Sequence, residues 1–355
     1  MPGAYPAGRF AHLMLDYACV GSISRKNVHI DAQDGMILAV TLNPALDVTH
    51  HVRHADWDGV NRPHQVLTRP GGKGLNVARV LRTLGADVRA IGLAGGLAGQ
   101  AVRDGLAAAG VPAAFTPIAG QTRRTFTVVD EAAGRVAAFN EPGPPVSDDE
   151  YRRFLDLFGG ALAGCSVAVL SGSVPPGVPA AGYAALTRTA VAAGVPVILD
   201  AGGPALRHAL AAGPAIVKPN LAELEHAAGH SLRVGGAPGG EPDLAAVAAA
   251  ARELTAAGAG AAAVSLGPRG LLAVTPDGAW LAAPAARTAG NPTGAGDAVV
   301  AGLALGLSLR SAWEQRLRSC AALGAAAVAA PAAGDISLDD YRRELDQVQL
   351  AAIGG

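Results

Sequence analysis

From Met36 onward, short apolar runs alternate with longer segments in which apolar residues recur every three or four positions. The short runs are typical of buried parallel strands, and the periodic segments are typical of amphipathic helices. The predicted strands are Ile37–Leu42, Val88–Leu93, Val167–Leu170, Pro196–Asp200, Ala215–Lys218 and Ala261–Leu266. The predicted helices are Leu75–Leu84, Gln100–Ala109, one opened by the capping box Ser147–Glu150, Ala180–Ala193, Ala205–Ala211, one beginning near Asn220, Leu244–Ala257, Ala298–Leu307, Ala312–Ala329 and Leu338–Gln349. This alternation predicts an α/β fold with a mostly parallel central sheet flanked by helices.

Two segments interrupt the alternation and show little helical period, residues 48–68 and residues 114–140. In the second segment, side chains alternate locally between apolar and polar on either side of the turn residues Asp130–Gly134. We interpret both segments as a small β-sheet lid over the carboxyl ends of the main strands. Open α/β sheets bind their ligands at those ends.

Residues 1–35 show no clear hydrophobic period, whereas Met36 opens the first apolar strand. We therefore predict that residues 1–35 are an extension that is disordered or lies outside the functional chain. Residues 36–350 are then expected to form one domain that includes the lid.

The bulk composition excludes several classes of function. The chain has 355 residues and a formal net charge of −1, so it lacks the excess of positive charge that is typical of nucleic-acid-binding proteins. Every apolar stretch approaching the roughly 18 residues of a membrane helix is interrupted by charges, so we expect no membrane span. Cys19, Cys165 and Cys320 are far apart and lack metal-ligand spacing, which favours a reduced, cytoplasmic setting.

The segment Asn291–Asp297 reads Asn-Pro-Thr-Gly-Ala-Gly-Asp and precedes a predicted apolar helix. Its glycines let the backbone turn tightly, and the helix start adds a partial positive charge. Such a place suits the negative charge that develops on a transferred phosphoryl group. Asp297, in the predicted first helical turn, can accept a proton from an attacking hydroxyl. The plainer reading is a loop followed by an acidic residue that favours a helix start.

Two further polar segments precede predicted helices. Residues 70–76 read Pro-Gly-Gly-Lys-Gly-Leu-Asn, and the glycines allow a ligand to approach the backbone closely. The segment is not a Walker A loop, because Gly74 stands where such a loop requires Ser or Thr. Residues 218–223 read Lys-Pro-Asn-Leu-Ala-Glu. There, Asn220 and Glu223 can form a capping box, can organise a hydrated magnesium near phosphates, or can do both.

Six segments, taken in order, resemble the ribokinase-like, phosphofructokinase-B family of sugar kinases. They are Thr41–Asp47, Gly71–Asn76, Leu170–Gly177, Lys218–Glu223, Val264–Gly267 and Gly294–Asp297. Any one of them is a weak signal, but six in the right order and spacing are specific. Within the family, the chain is similar to the branch that holds 1-phosphofructokinase, tagatose-6-phosphate kinase and the minor-type 6-phosphofructokinase.

The resemblance implies a role for each motif residue. Asp297 would be the catalytic base, with an anion hole formed by the amides of Gly294, Ala295 and Gly296. Lys73 and Arg123 would meet the phosphate already on the substrate, because a sugar phosphate needs cations that a free sugar does not. The residues expected to hold the sugar hydroxyls are Asp47, Gly72, Asn76 and Ser173. The residues expected along ATP and Mg²⁺ are Lys218, Asn220, Glu223, Ser265, Gly267 and Gly270, with Asn220 and Glu223 holding the metal through water.

The reaction that this resemblance favours is the ATP-dependent conversion of fructose 1-phosphate to fructose 1,6-bisphosphate. Tagatose-6-phosphate kinase and 6-phosphofructokinase are the alternatives, and Asn291–Pro292 is similar to some tagatose-6-phosphate kinases. A non-catalytic sugar- or nucleotide-binding sensor is more distant, because Asp297 and its glycine loop are intact. A dehydrogenase is disfavoured, because the loose dinucleotide pattern at Gly258–Ala263 precedes a predicted strand. The resemblance also implies a homodimer joined through the lids.

Deletion of residues 1–35 is expected to leave the activity and the thermal stability of the protein intact, because the regular strand–helix alternation begins at Met36. The test compares turnover and melting temperature of the full chain and the shortened chain. A large loss of either quantity would contradict the assignment of these residues as an extension.

Overall fold

The computed structural model describes residues 35–353, except Pro238, Arg287 and Ala289. Residues 1–34 lie outside the described residues, so the N-terminal extension stays a prediction. The strands are β1 (Met36–Thr41), β2 (Ala45–Val52), β3 (Gln65–Gly71), β4 (Val88–Ala94), β5 (Ala113–Pro117), β6 (Arg123–Asp130), β7 (Arg135–Asn140), β8 (Cys165–Ser171), β9 (Val197–Asp200), β10 (Ile216–Val217), β11 (Ala262–Ser265), β12 (Leu271–Thr275), β13 (Gly278–Ala283) and β14 (Gln349–Ile353). The α-helices are α1 (Lys73–Thr83), α2 (Gly96–Ala108), α3 (Asp148–Ala161), α4 (Gly182–Ala192), α5 (Gly203–Leu210), α6 (Leu221–Ala228), α7 (Leu244–Ala256), α8 (Ala295–Ser308), α9 (Trp313–Ala329) and α10 (Leu338–Leu345).

Ten strands of the described chain form the main sheet, in the order β14-β13-β12-β11-β10-β9-β8-β1-β4-β5. Pairing is parallel from β5 across to β11 and antiparallel from β11 to β14. The central strands β1, β8 and β9 are buried along nearly their whole length. This burial explains why their sequences are continuous apolar runs, and it confirms the predicted α/β fold.

The core lies between the main sheet and the helices that cover it. Its largest fully buried side chains include Phe154 and Phe158 of α3 and Tyr183 of α4. They belong to one apolar cluster with Leu38 of β1 and Leu170 of β8. The cluster fixes the middle of the sheet and therefore fixes the positions at which β1, β8 and β9 end.

The antiparallel edge of the sheet was not predicted from the sequence. Strands β12 and β13 form a hairpin with no helix between them, so the strand–helix alternation does not extend to them. The predicted helix Leu338–Gln349 was too long, because α10 ends at Leu345 and residues 349–353 pair with β13 as the outermost strand.

A separate four-stranded sheet forms the lid, in the order β3-β2-β6-β7. Its pairings are antiparallel except for the central pair of β2 and β6, which is parallel. The predicted lid segment 114–140 needs correction, because residues 113–117 pair with β4 as the other edge of the main sheet. The physical reason is that β4, α2 and β5 form one strand–helix–strand unit. The lid strands also extend beyond the first predicted segment, from residue 45 to residue 71.

Both predicted capping boxes are present. The Ser147 side chain accepts from the amide of Glu150, and the Asn220 side chain accepts from the amide of Glu223, with each glutamate bonding back to the cap. None of the helices in the described part of the chain has the length and apolarity to cross a membrane.

Candidate active site

A cavity of about 980 Å³ lies where the main strands end and the lid begins. Every site residue predicted from the sequence lines it except Glu223; these residues are Asp47, Gly72, Lys73, Asn76, Arg123, Ser173, Lys218, Asn220, Ser265, Gly267, Gly270, Gly294, Ala295, Gly296 and Asp297. They come from the ends of β8, β10 and β11, from the starts of α1 and α8, and from the lid. The topology therefore brings together motifs that are far apart in the sequence, as expected for ligand sites of open α/β sheets.

Asp297 lies in the first turn of α8 and is buried. Asn76 of α1 donates a hydrogen bond from Nδ2 to Asp297 Oδ2 at 2.8 Å. Burial raises the pKa of the Asp297 carboxyl to about 7, and the negative charge of Asp200 adds to this effect. The charge of Lys73, the hydrogen bond from Asn76 and the charge of Lys218 act in the opposite direction. A carboxylate with this pKa can take a proton near neutral pH.

The turn before α8 presents backbone amides next to this carboxylate. Gly294 caps the helix with φ 87°, a left-handed conformation that side chains other than glycine rarely adopt. A Cβ on Gly294 would also lie 2.9 Å from Ala333 Cα. The ammonium group of Lys218 lies nearby, 3.7 Å from the position of a Cβ on Gly296. The helix start and one lysine therefore concentrate positive potential at one point of the cavity.

Asp200, at the end of β9, is a site residue that sequence reasoning missed. One of its oxygens, Oδ1, lies 3.2 Å from Lys73 Nζ and 3.3 Å from Lys218 Nζ. The other oxygen, Oδ2, accepts a hydrogen bond from the Ser171 hydroxyl at 2.9 Å. Its place as the last residue of a predicted strand was the signal that could have found it.

The charges of Asp200, Lys73 and Lys218 stabilise one another. Burial acts to raise the pKa of the Asp200 carboxyl, but Lys218 and Lys73 outweigh it and hold that pKa below its ordinary value. Burial acts to lower the pKa of the Lys73 ammonium, but the carboxylates of Asp200 and Glu223 outweigh it and hold that pKa above its ordinary value. Lys73 therefore stays protonated at neutral pH. Its side chain is 38% exposed and lines the cavity.

Asn220 and Glu223 use most of their oxygen atoms in the capping box. Asn220 Oδ1 accepts from the Glu223 amide, and Glu223 Oε2 accepts from the Asn220 amide, each at 2.8 Å. The remaining carboxylate oxygen, Oε1, lies 3.6 Å from Lys73 Nζ. No group of three or more His, Cys, Asp or Glu side chains that could hold a metal occurs in the described part of the chain. One spare carboxylate oxygen fits a cation such as Mg²⁺, which keeps several waters and binds mainly to phosphates.

The lid end of the cavity carries a second polar group. Thr125 donates to Asp47 Oδ1 at 2.5 Å, and burial raises the pKa of the Asp47 carboxyl against the opposing effects of this bond and of Arg123. Asn43, which the sequence motifs did not single out, donates from Nδ2 to Ser173 Oγ at 3.0 Å. Its carbonyl accepts from Arg123 Nε at 3.2 Å.

Lys73 and Arg123 were expected to act together on one phosphate, but their contacts lie in two different groups. Lys73 bonds to Asp200 at the ends of the main strands, whereas Arg123 bonds to the carbonyls of Asn43 and Glu141 beside the lid. Burial lowers the pKa of the Arg123 guanidinium, although Asp47 opposes this. The two cations, which both line the cavity, thus have different protein partners.

Comparison with known proteins places this site in a family. Residues 41–340 match the pfkB family carbohydrate kinases. The chain is 35% identical over 314 residues to the ATP-dependent 6-phosphofructokinase isozyme 2 of Mycobacterium tuberculosis, covering 86% of this chain and 88% of that protein. The chain is also similar to two structures of phosphofructokinase-2 from Escherichia coli, each 32% identical to it. The complex with fructose-6-phosphate has a TM-score of 0.77, and the tetrameric inhibited form has a TM-score of 0.79. Each match covers 88% of this chain and 98% of the other chain. A possible 1-phosphofructokinase from Thermotoga maritima is 27% identical, with a TM-score of 0.81 and coverage of 90% of this chain and 100% of that chain.

Replacement of Asp297 by Asn is expected to change how stability depends on pH. The folded carboxyl has a pKa of about 7 against an ordinary value of 3.8, so the folded protein holds a proton that the unfolded chain has released. The contribution of Asp297 to wild-type stability should therefore fall as pH rises from about 4 to about 7, whereas the Asn variant lacks this loss. Above pH 7 the variant should be more stable than wild type by on the order of 4 kcal/mol, and near pH 4 the two should be equal.

Urea unfolding at pH values from 4 to 8 measures this difference, with the exposed Asp156→Asn as the control that should follow wild type. Parallel stability curves for wild type and the Asp297 variant would contradict a raised pKa.

Proposed function

Since the chain belongs to the pfkB family of carbohydrate kinases, we propose that it transfers the γ-phosphoryl group of ATP to a hydroxyl of a ketohexose monophosphate. The products are ADP and a ketohexose bisphosphate. The observation that carries the proposal is the buried Asp297 beside the glycine amides of α8, in one cavity with the separate cations Lys73 and Arg123. A free sugar would bring no phosphate for Arg123 to bind.

The proposed chemical step begins at Asp297. Its carboxylate accepts the proton of the sugar hydroxyl as the oxygen attacks the γ-phosphorus, while the bond from that phosphorus to the β–γ bridging oxygen breaks. The hydrogen bond from Asn76 fixes the orientation of the carboxylate. Because the pKa of Asp297 is about 7, the base form increases through neutral pH.

The phosphoryl group in transit needs positive charge, and the protein supplies it from two sources. The amides of Gly294 and Gly296 would face the group from the start of α8, with Lys218 beside them. The amide of Ala295, which was expected to join them, donates to the carbonyl of Pro292 at 3.2 Å. Lys73, held by Asp200, adds a second ammonium at the same place. When bound, Mg²⁺ would neutralise the phosphates of ATP. Asn220 and Glu223 would hold it through water, and Ser265, Gly267 and Gly270 would line the nucleotide.

At the lid end, Arg123 would bind the phosphate that the sugar already carries. Asp47, Gly72 and Ser173 would then hold the sugar hydroxyls from the same wall of the cavity. Lys73, first expected to share this phosphate, is assigned instead to the transferred group because its partners are Asp200 and Glu223.

Fructose 6-phosphate is the acceptor that we place first. The relatives at 35% and 32% identity are named as 6-phosphofructokinase isozyme 2 and as phosphofructokinase-2, and one structure of the latter contains fructose-6-phosphate. Fructose 1-phosphate, which the motifs favoured, stays the second candidate and is supported by the possible 1-phosphofructokinase at 27% identity. Both acceptors give fructose 1,6-bisphosphate. Tagatose 6-phosphate is third, on the strength of Asn291–Pro292.

The assembly proposed is a homodimer joined through the lids. The lid exposes several large apolar side chains, which suits an interface. They are Trp57, Val60, Val66, Val136 and Phe139. The tetrameric form of the Escherichia coli relative shows that a higher assembly occurs in that protein.

The cytoplasm is the proposed compartment, in keeping with the cysteine pattern of the sequence and with the occurrence of ATP and sugar phosphates there.

An ADP-release assay with ATP and magnesium tests the proposal against four acceptors, namely fructose 6-phosphate, fructose 1-phosphate, tagatose 6-phosphate and free fructose. A strong preference for one phosphorylated ketose is expected and would name the substrate. Turnover with free fructose alone would contradict the assignment of Arg123 to a phosphate. An absence of turnover together with ATP binding would favour a sensor.

The Asp297→Asn variant is expected to lose about 100- to 10,000-fold in kcat, because the attacking hydroxyl loses its base. Binding of ATP, measured by calorimetry without acceptor, should persist. In wild type, kcat should fall as pH drops below about 7, because the carboxyl becomes protonated. A variant that retained near-wild-type kcat would remove Asp297 from the role of base.

Two substitutions test the two cations of the cavity separately. Arg123→Ala should raise the KM for the sugar phosphate roughly 10- to 100-fold, because a charge-assisted hydrogen bond to phosphate is lost. Lys73→Met should instead lower kcat about 100-fold, because the transferred group loses one ammonium. The opposite pattern, with an unchanged KM for Arg123→Ala and a raised KM for Lys73→Met, would reverse the two assignments.

A further inference from the structure

Asp335 follows α9 and contacts arginines from two different parts of the molecule. Its Oδ1 accepts a hydrogen bond from Arg79 Nη2 of α1, and its Oδ2 lies 3.9 Å from Arg69 Nε of the lid strand β3. Neither the sequence motifs nor the proposed chemical step uses these three residues, which we call the Asp335 cluster. The cluster joins the lid, helix α1 and the loop of residues 332–335.

The loop of the Asp335 cluster packs against the anion hole. Arg79 Nη1 donates to the carbonyl of Ala333 at 2.9 Å, and Arg79 is buried. Ala333 in turn lies against Gly294, where a Cβ would come within 2.9 Å of its Cα. A Cβ on Gly334 would lie 2.8 Å from Arg79 Nη1 and 2.9 Å from Asn76 Oδ1. The loop is therefore held between α1 on one side and the start of α8 on the other.

The lid side of the cluster reaches the acceptor end of the cavity. Arg69 is paired across the strands with Asp47, and both side chains line the cavity. The charge of Arg79 also acts on Asp47. One ionic group thus extends from the acceptor-binding carboxylate to the loop beneath Gly294.

We propose that Arg79 and Asp335 are positioning residues that hold the anion hole in place and, through Arg69, couple it to the lid. This inference rests on the proposed function. A sugar phosphate that draws Asp47 and the lid toward the cavity also steadies Arg69 against Asp335, and the loop then supports Gly294. Acceptor binding and nucleotide binding therefore strengthen one another through this cluster.

The test measures kcat, both KM values and the Kd of the non-hydrolysable analogue AMP-PNP, with and without acceptor, at fixed ionic strength. In wild type the acceptor should tighten AMP-PNP binding. Asp335→Asn should lower kcat at least 10-fold and bring the ratio of the two Kd values close to one. Arg69→Gln should reduce that ratio as well, and the double variant should be no worse than Asp335→Asn alone.

Asp339→Asn is the matched control, because Asp339 pairs with Arg342 on the surface of the neighbouring helix α10 and should leave every quantity unchanged. Because Asp335→Asn leaves Arg79 buried with a weaker partner, all variants are compared well below their melting temperatures, and Arg79→Lys is measured beside them. Arg79→Lys keeps the charge but cannot span Asp335 and Ala333 together, so it should give a loss similar to that of Asp335→Asn.

A wild-type kcat and an unchanged Kd ratio in folded Asp335→Asn would overturn the proposal, as would strictly additive losses in the double variant. Failure of the proposed function looks different, because wild type itself would then turn over none of the ketohexose phosphates. In that case the Kd of AMP-PNP alone decides: weaker binding in Asp335→Asn but not in Asp339→Asn supports the positioning role, and equal binding overturns it.

Discussion

The active site depends on one buried carboxylate that holds two ammonium groups. Asp200 ends β9 at the middle of the main sheet, where Lys73 and Lys218 both bond to the same oxygen atom. Without these lysines, a charge at this depth would be costly, and without the carboxylate the lysines would repel each other beside the start of α8. The same negative charge contributes to the raised pKa of Asp297. Asp200 thus fixes the positions of the two lysines and also contributes to the basicity of Asp297.

Helix α1 extends this arrangement across the cavity. Its residues Lys73, Asn76 and Arg79 are three positions apart and lie on one face of the helix. The first contacts Asp200, the second Asp297 and the third the loop beneath Gly294. In the proposed mechanism, this one short helix would supply a cation to the phosphoryl group, orientation to the base and support to the anion hole. A shift of α1 along its axis would disturb all three together. The start of α1 packs closely against β1, because a Cβ on Gly74 would lie 2.6 Å from the Val40 carbonyl oxygen.

Local signals explain what could be predicted from the sequence. Continuous apolar runs identified the parallel strands, and glycine-rich turns before helices identified segments that line the cavity. Asp200 was missed because its role appears only when β9 ends opposite Lys73 and Lys218. The contact of Arg79 with Asp335 joins residues 256 positions apart, and no local pattern marks either one. The hairpin of β12 and β13 was missed because the interpretation relied on strands separated by helices. The sequence likewise could not show that Lys73 contacts Asp200 rather than acting with Arg123, because Lys73 and Asp200 are 127 positions apart.

The order of the lid strands along the chain has a consequence for folding. The parallel pair β2 and β6 is the centre of the lid, yet α1, β4, α2 and β5 lie between the two strands in sequence. Of the elements between β2 and β6, strand β3 belongs to the lid, whereas α1, β4, α2 and β5 belong to the main domain. Strand β2 can pair locally with β3, but its pairing with β6 spans a strand–helix–strand unit of the main sheet, and such non-local pairings form slowly. We therefore expect the lid to be completed on an already formed main sheet, so that the cavity between them closes late in the folding of the chain.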